Sequence, residues 1–174
     1  EQCAGARRIA DNGLGFQVLA QTELRLAVAP GELERLFAGA PAAAGRSIEA
    51  RLLSAEFYDT PRLDLLRRGM SLRIRRDGKG WMQDVTRDRA IAPQRRIESE
   101  SRIPRSVPDL ARITDHELAA PLRQAVGRSA LKPVFRTEIT RRRRVLSPAP
   151  GTTINMCFDR GTLSAGARHE SISQ

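Results

Sequence analysis

The segment from Met70 to Arg76 constrains the fold more than any other part of the sequence, because apolar and polar residues alternate strictly along it. A period of two places the two sets on opposite faces of a β-strand: Met70, Leu72 and Ile74 against Ser71, Arg73 and Arg75. The polar face therefore carries two guanidinium groups side by side. We expect an anionic partner on that face.

The charge of the chain comes from arginine. Its 174 residues fit one domain, and 30 Lys and Arg against 20 Asp and Glu give a formal net charge of +10. Only Lys79 and Lys132 are lysines. An arginine excess suits a phosphate ligand, although a GC-rich genome explains the same composition equally well. Aromatic residues make up 4% of the chain, which argues against a surface that stacks nucleic-acid bases.

Alternation elsewhere predicts further antiparallel strands, over residues 16–28, 48–58, 81–87, 94–103, 132–146, 152–158 and 162–165. Helical spacing predicts short helices over residues 32–38 and 62–68, and a third helix that begins at a capping box from Thr114 to Glu117 and ends at Gly127. Asp159-Arg160-Gly161 is predicted to be a turn. The pattern is that of an α+β protein with a sheet that is apolar on one face and charged on the other.

The predicted charged face holds more arginines and acids than a solvated sheet face requires: Arg73, Arg75, Arg96, Arg136, Arg142 and Arg144 with Glu23, Glu98, Glu100 and Asp159. By the same parity, Arg141 and Arg143 face solvent. A barrel with a charged lumen would use these residues to hold a small polyanion on arginines and a divalent cation on carboxylates. An open sheet with solvated ion pairs is the alternative.

A longer segment around the alternating strand resembles a known family. The segment contains, in order, Tyr58-Asp59-Thr60-Pro61, Leu63, Leu65, Arg68-Gly69 and Leu72-Arg73-Ile74-Arg75-Arg76. This series resembles the YFDTP…L…RG…LRIR segment of the CYTH family, the triphosphate tunnel metalloenzymes. Further matches follow in the family's order over residues 17–174: Glu23 and Arg25, Trp81 and Gln83, Arg96, Glu98 and Glu100, Val134-Phe135-Arg136-Thr137, and Asp159-Arg160-Gly161.

This resemblance implies an eight-stranded antiparallel barrel around a tunnel, closed or incompletely closed, with a few covering helices over residues 16–174 after a loose lead-in at 1–15. It implies metal-dependent hydrolysis of inorganic triphosphate or a related compound, with Mg²⁺ or Mn²⁺ as cofactor. By position, the phosphate-binding residues would be Arg25, Arg73, Arg75, Arg96 and Arg136. The metal-binding acids would be Glu23, Glu98, Glu100 and Asp159, with Glu98 and Glu100 also catalytic.

Departures from the family pattern leave a second possibility open. Gln21 and Asn155 stand where the family has Glu, Thr86 stands where it has Lys, and Gln174 stands where the closing strand would begin. Amides in place of acids weaken the binding of a hard cation. The alternatives are thus a working triphosphatase, or a non-enzymatic tunnel domain that binds polyphosphate or nucleotide. A missing final strand would leave an unpaired edge, for which a homodimer is one solution.

Other features suggest less specific roles. Asp59 before Thr60-Pro61 is expected to hold a turn rather than to catalyse. The Arg141 to Arg144 run prompts a rival interpretation, a basic nucleic-acid-binding protein, which we consider weaker. Cys3 and Cys157 have no metal-ligand spacing and indicate no disulfide framework, and no apolar run is long enough to span a membrane. A cytoplasmic location is therefore expected.

Overall fold

Among the residues that the structure describes, the fold is an antiparallel sheet of seven strands with three short helices. A computed structural model describes residues 24, 26–78, 80–88 and 97–174. The strands are β1 Arg46–Asp59, β2 Met70–Asp77, β3 Gly80–Arg87, β4 Ile97–Ile103, β5 Lys132–Ala149, β6 Thr152–Ala165 and β7 Arg168–Ser173. The helices are α1 Pro30–Ala38, α2 Asp64–Arg67 and α3 His116–Val126, with 3₁₀ turns at Ala42–Ala44 and Leu110–Arg112.

The strand order is β4-β3-β2-β1-β5-β6-β7, so β4 and β7 are the edges of the described sheet. The α+β class is confirmed, whereas eight strands and a closed barrel are not: the described strands form an open sheet of seven. The predicted first strand, from residue 16, lies mostly outside the described residues. Its last residue, Val28, donates a backbone hydrogen bond to the Ser173 carbonyl at 3.0 Å. The chain just before α1 therefore runs beside the β7 edge.

The main core lies between one face of the sheet and the helices α2 and α3. The apolar residues of the alternating strand point into it, and Leu72 is fully buried against Leu65 of α2 and Leu118 and Leu122 of α3. Burying such a side chain stabilises the fold by about 1.5–3 kcal/mol. The predicted division of β2 into an apolar and a charged face is thus confirmed.

A smaller core joins α1 to β5 and β6 on the same face of the sheet. Leu33 and Phe158 are buried there, and the rings of Phe37 and Phe158 meet edge to face with centroids 5.2 Å apart. The guanidinium groups of Arg142 and Arg144 lie over the Phe37 ring, at 4.0 and 4.3 Å from its centroid. The prediction that these two arginines point to the charged face is therefore wrong, because α1 covers them with an aromatic ring.

Strand β6 is continuous where a turn was predicted at Asp159-Arg160-Gly161. Gly161 lies opposite Ile139 of β5, and a Cβ atom at this position would come within 2.0 Å of the Glu138 carbonyl oxygen. Glycine thus serves close strand packing here rather than a turn. The chain reverses instead at Gly166, whose φ of +59° is accessible to glycine at little cost.

Two aspartates cap the starts of helices. Asp59 accepts hydrogen bonds from the backbone amides of Thr60, Leu65 and Leu66 at 2.7, 2.9 and 3.0 Å, so its predicted structural role is confirmed. Helix α3 is capped by Asp115, which accepts from the Glu117 amide at 2.9 Å, and not by the predicted Thr114. Either residue type provides the oxygen that the helix start requires.

The structure bears on two expectations about cellular location. Within the described ranges, every helix is too short or too polar to cross a membrane. Cys157 is disulfide-bonded, which the sequence pattern did not indicate. Cysteine spacing is therefore no support for a reducing compartment, and the cytoplasmic location stays a prediction.

Candidate functional site

The face of the sheet opposite the described helices carries most of the predicted site residues, and we call it the charged face. The strand registers define it, since directly paired residues share a face. Arg73 pairs with Asp84, Asp84 with Glu100, and Thr86 with Glu98, which places these side chains on one surface of β2, β3 and β4. The same register places Phe57 next to Arg73, and the ring of Phe57 stacks on that of Phe135 at 4.2 Å.

Arg73 and Arg75 are held together by a single buried carboxylate. Oδ2 of Asp84 accepts hydrogen bonds from Nε of Arg73 and from Nε of Arg75, each at 2.9 Å, and lies 2.8 Å from Nη2 of Arg73. Glu100 adds a second, longer contact, with its Oε1 3.4 Å from Nη2 of Arg75. The predicted pair of adjacent arginines is present, and two carboxylates neutralise it.

Asp84 is only 1% exposed, although it is an acid on a charged surface. Its other oxygen, Oδ1, is buried and has no hydrogen-bond partner in the described part of the chain. A buried oxygen without a partner is costly, and natural proteins keep few of them. Asp84 is not among the site residues predicted from the sequence. The signal was available, because a two-residue loop between β2 and β3 places residue 84 directly opposite Arg73.

A second ion pair lies further along the sheet, between β5 and β6. Arg141 donates from Nε to Oδ1 of Asp159 at 2.7 Å and from Nη2 to Oδ2 at 2.6 Å. Asp159 is 2% exposed. The prediction that Arg141 faces solvent is therefore wrong. Both carboxylate oxygens of Asp159 are engaged by the guanidinium group, so the structure does not present Asp159 as a ready metal ligand.

The structure brings together some of the predicted site residues and separates others. Arg136 lies on the opposite face of the sheet, where its Nη2 donates to Oε1 of Glu138 at 2.6 Å, so it cannot act with Arg73 and Arg75. The reason is parity: Arg136 pairs with Glu56, whereas its neighbour Phe135 shares a face with Arg73. Three further predicted residues lie outside the described residues: Glu23, Arg25 and Arg96.

The carboxylates that the structure describes do not by themselves form a metal site. No group of three or more His, Cys, Asp or Glu side chains is close enough to hold an ion among the described residues. Glu98 and Glu100 share the charged face, but Asp159 is engaged elsewhere. Mg²⁺ needs near-octahedral oxygen coordination and is held by one or two carboxylates together with phosphate oxygens and waters. The described residues therefore fall short of the metal-binding set that the resemblance implied.

Arg143, which was also predicted to face solvent, lies near the Arg141 pair. A small pocket is lined by Arg51, Arg141 and Arg143, and Nη2 of Arg143 donates to Oδ1 of Asn155 at 3.2 Å. Strand parity indicated that Arg141 and Arg143 share a face. It could not show which face α1 would cover, because that depends on a contact between distant segments.

Comparisons with known proteins agree with this architecture. The family model described as the CYTH domain matches residues 20–170. A crystal structure of a candidate adenylate cyclase from Bacillus halodurans is similar at a TM-score of 0.54 and 17% identity, over 84% of this chain and 74% of that one. A candidate adenylyl cyclase from Hippeastrum, described as having a dominant triphosphatase activity, gives a TM-score of 0.47 and 14% identity over the same shares.

These similarities support conclusions of different strength. At 17% identity the first shows a shared fold alone, and the second, below a TM-score of 0.5, supports no inference about this chain. A search of curated proteins gave no match. The family match is the informative comparison, since it spans most of the chain.

Proposed function

Because the chain belongs to the CYTH domain family, we propose that it binds inorganic triphosphate or a related triphosphate compound on its charged face and hydrolyses it with a divalent cation, Mg²⁺ or Mn²⁺. The observation that carries the proposal is the pair of adjacent guanidinium groups of Arg73 and Arg75, fixed on the sheet by Asp84. Hydrolysis of tripolyphosphate by water breaks one P–O bond and releases orthophosphate and pyrophosphate.

The arginine pair suits a phosphate chain for a geometric reason. A guanidinium group has five N–H donors, and the contacts with Asp84 and Glu100 use the Nε and Nη2 atoms of the two arginines. The Nη1 atoms have no such contact in the described part of the chain. The Cα atoms of alternate residues on one strand are about 7 Å apart. The two guanidinium groups lie closer together than that, because one oxygen of Asp84 accepts from both. Their remaining N–H donors can therefore contact neighbouring phosphoryl groups of one ligand.

Glu98 and Glu100 are the proposed catalytic acids, since both lie on the charged face close to the arginine pair. A carboxylate there would orient the attacking water or help to hold the cation. The family is generally metal-dependent, but the described residues do not complete a metal site.

Binding without turnover is the second candidate function. It is favoured by the Arg141–Asp159 ion pair, which uses both oxygens of an acid that the resemblance assigned to the metal. A nucleic-acid-binding surface is less well supported, because the arginine run is engaged within the fold. Arg142 lies over Phe37 and contacts Glu34 at 2.8 Å, so it does not form an outward basic stripe.

The test is phosphate release from tripolyphosphate with Mg²⁺ or Mn²⁺ by the wild type, Arg73→Gln and Arg136→Gln. The two variants lose the same charge, but only Arg73 lies on the charged face. We expect Arg73→Gln to lower kcat/KM by about tenfold to a hundredfold, the effect of losing one charged hydrogen-bonding group. Arg136→Gln should stay within about twofold of wild type. Equal loss in both variants would show that the charged face has no special role.

Glu100→Gln separates the two candidate functions. An enzyme loses phosphate release in this variant while it still binds tripolyphosphate. If wild type and Glu100→Gln both release phosphate only at the background rate, and wild type binds tripolyphosphate, the domain is a binding module. If wild type neither binds nor hydrolyses tripolyphosphate, the proposed function is wrong.

A further inference from the structure

Arg73 and Arg75 are already paired with carboxylates of the protein itself. The four side chains of the cluster, Arg73, Arg75, Asp84 and Glu100, have a formal charge of zero, since two cations face two carboxylates. Of the two carboxylates, Asp84 has the stronger electrostatic interaction with the arginines, because it contacts both guanidinium groups within 2.9 Å and is 1% exposed. Solvent screening therefore weakens its charge less than that of an exposed acid.

The burial of Asp84 makes this arrangement costly to maintain. Its Oδ1 atom is buried without a partner among the described residues, so the side chain is not placed to satisfy all its hydrogen bonds. Its Oδ2 atom, in contrast, accepts from both arginines. A carboxylate in this position resembles a phosphate oxygen shared by two guanidinium groups, because both present anionic oxygen to the N–H fork.

We infer that Asp84 is an internal counter-ion of Arg73 and Arg75 that sets how tightly the charged face binds free polyphosphate. It positions the two guanidinium groups, and it opposes the negative charge of the ligand that they contact. The inference rests on the proposed function, since it specifies how the same arginines select their ligand. A polyphosphate whose charge is reduced by a bound cation meets less repulsion from Asp84 than the free polyanion does. The face thereby prefers the cation complex.

Asp84→Asn tests the inference, because the amide keeps the size and one acceptor oxygen of the side chain but removes its charge. Tripolyphosphate binding is measured by calorimetry in metal-free buffer with a chelator, and again with Mg²⁺. We expect the metal-free affinity to rise about tenfold, the effect of removing one unit charge a few ångströms from the ligand. The gain that Mg²⁺ gives should be smaller in the variant than in wild type. A purely structural role would lower affinity and leave the Mg²⁺ effect unchanged.

Glu138→Gln is the matched control. It removes the same charge from an exposed ion pair on the opposite face, where Glu138 contacts Arg136. Its affinity should stay within about twofold of wild type, as expected for a charge whose effect is screened by solvent. If it rises as much as in Asp84→Asn, net charge alone explains the result and the inference is overturned.

The remaining outcomes are also decisive. If wild type binds and folded Asp84→Asn binds equally well or more weakly, the inference is wrong while the proposed function stands. If only Asp84→Asn binds, the inference is supported, because the counter-ion then occupies the site in wild type. If neither binds, both are refuted. Should circular dichroism show that Asp84→Asn does not fold, Asp84→Thr replaces it, because threonine removes the charge and is well accommodated in a strand. Tighter metal-free binding in that variant supports the inference, and unchanged binding overturns it.

Discussion

Asp159→Asn distinguishes a structural acid from a metal ligand, and the structure predicts its cost. The substitution removes the charge that receives two short hydrogen bonds from Arg141, at 2.7 and 2.6 Å. Hydrogen bonds to charged groups each contribute about 1.5–3 kcal/mol. The Arg141 side chain is 22% exposed, so water recovers part of the loss. We expect the free energy of unfolding to fall by about 3 kcal/mol, which lowers the Tm by about 6–12 °C in a domain of this size.

Thermal and urea unfolding of the wild type and Asp159→Asn provide the measurement. Two controls refine it. Glu138→Gln breaks a contact of similar length, 2.6 Å, between side chains that are 51% and 52% exposed, and should cost less than about 1 kcal/mol. Arg141→Gln combined with Asp159→Asn should cost clearly less than the sum of the single changes, because the two residues act as a pair. An unfolding free energy within about 0.5 kcal/mol of wild type, together with lost Mn²⁺ binding, would refute the structural role.

Two further predictions concern the fold. Gly161→Ala should lower the free energy of unfolding, measured by urea titration, by about 3 kcal/mol or more, because its Cβ would lie 2.0 Å from the Glu138 carbonyl oxygen. Gly31→Ala is the control: the space around Gly31 is open, so this change should be neutral or stabilising by up to about 1 kcal/mol. Burial and the neighbouring Glu56 raise the pKa of Tyr58 to about 12. Tyr58 is the single tyrosine of the chain, so the absorbance of tyrosinate reports on it alone. The absorbance change should be centred near pH 12 in the folded protein and near pH 10 in urea. The neutral phenol is favoured by folding, so its contribution to stability is complete below pH 10 and is lost as the pH rises to 12; a folded-state titration at pH 10 would contradict this.

The sequence predicts the part of the fold that depends on local pattern. Strict alternation placed Leu72 in the core and Arg73 on the charged face. Local pattern failed at Asp159 and Gly161, whose residue types favour turns. Their identities are explained by contacts with β5: Asp159 binds Arg141, and Gly161 allows close packing against the Glu138 carbonyl.

The arginine-rich strand shows a different limit. Alternation along β5 correctly placed Arg142 and Arg144 on one face and Arg141 on the other. It was wrong about the surroundings of each face, because Arg142 and Arg144 lie over Phe37 and Arg141 pairs with Asp159. The deciding contact is the Phe37 ring of α1, which is more than 100 residues away in the chain. Nothing in the local sequence of β5 indicates which of its faces a helix will cover. Arg136 was misplaced for a related reason: alternation separates it from Phe135, but the strand register places Phe135, and not Arg136, on the face of Arg73.

The order of the strands has a consequence for how the chain reaches this structure. β1 to β4 form one meander of consecutive strands and β5 to β7 form another, each built from neighbours in sequence. The β1–β5 ladder that joins them pairs residues 73 to 99 positions apart, from Asp59↔Lys132 to Arg46↔Val145. Closing so long a loop has a large entropic cost before any contact repays it, so the two meanders should form first and their joining should limit the folding rate. Phe57 and Phe135, stacked across that ladder, are where a substitution should slow folding most.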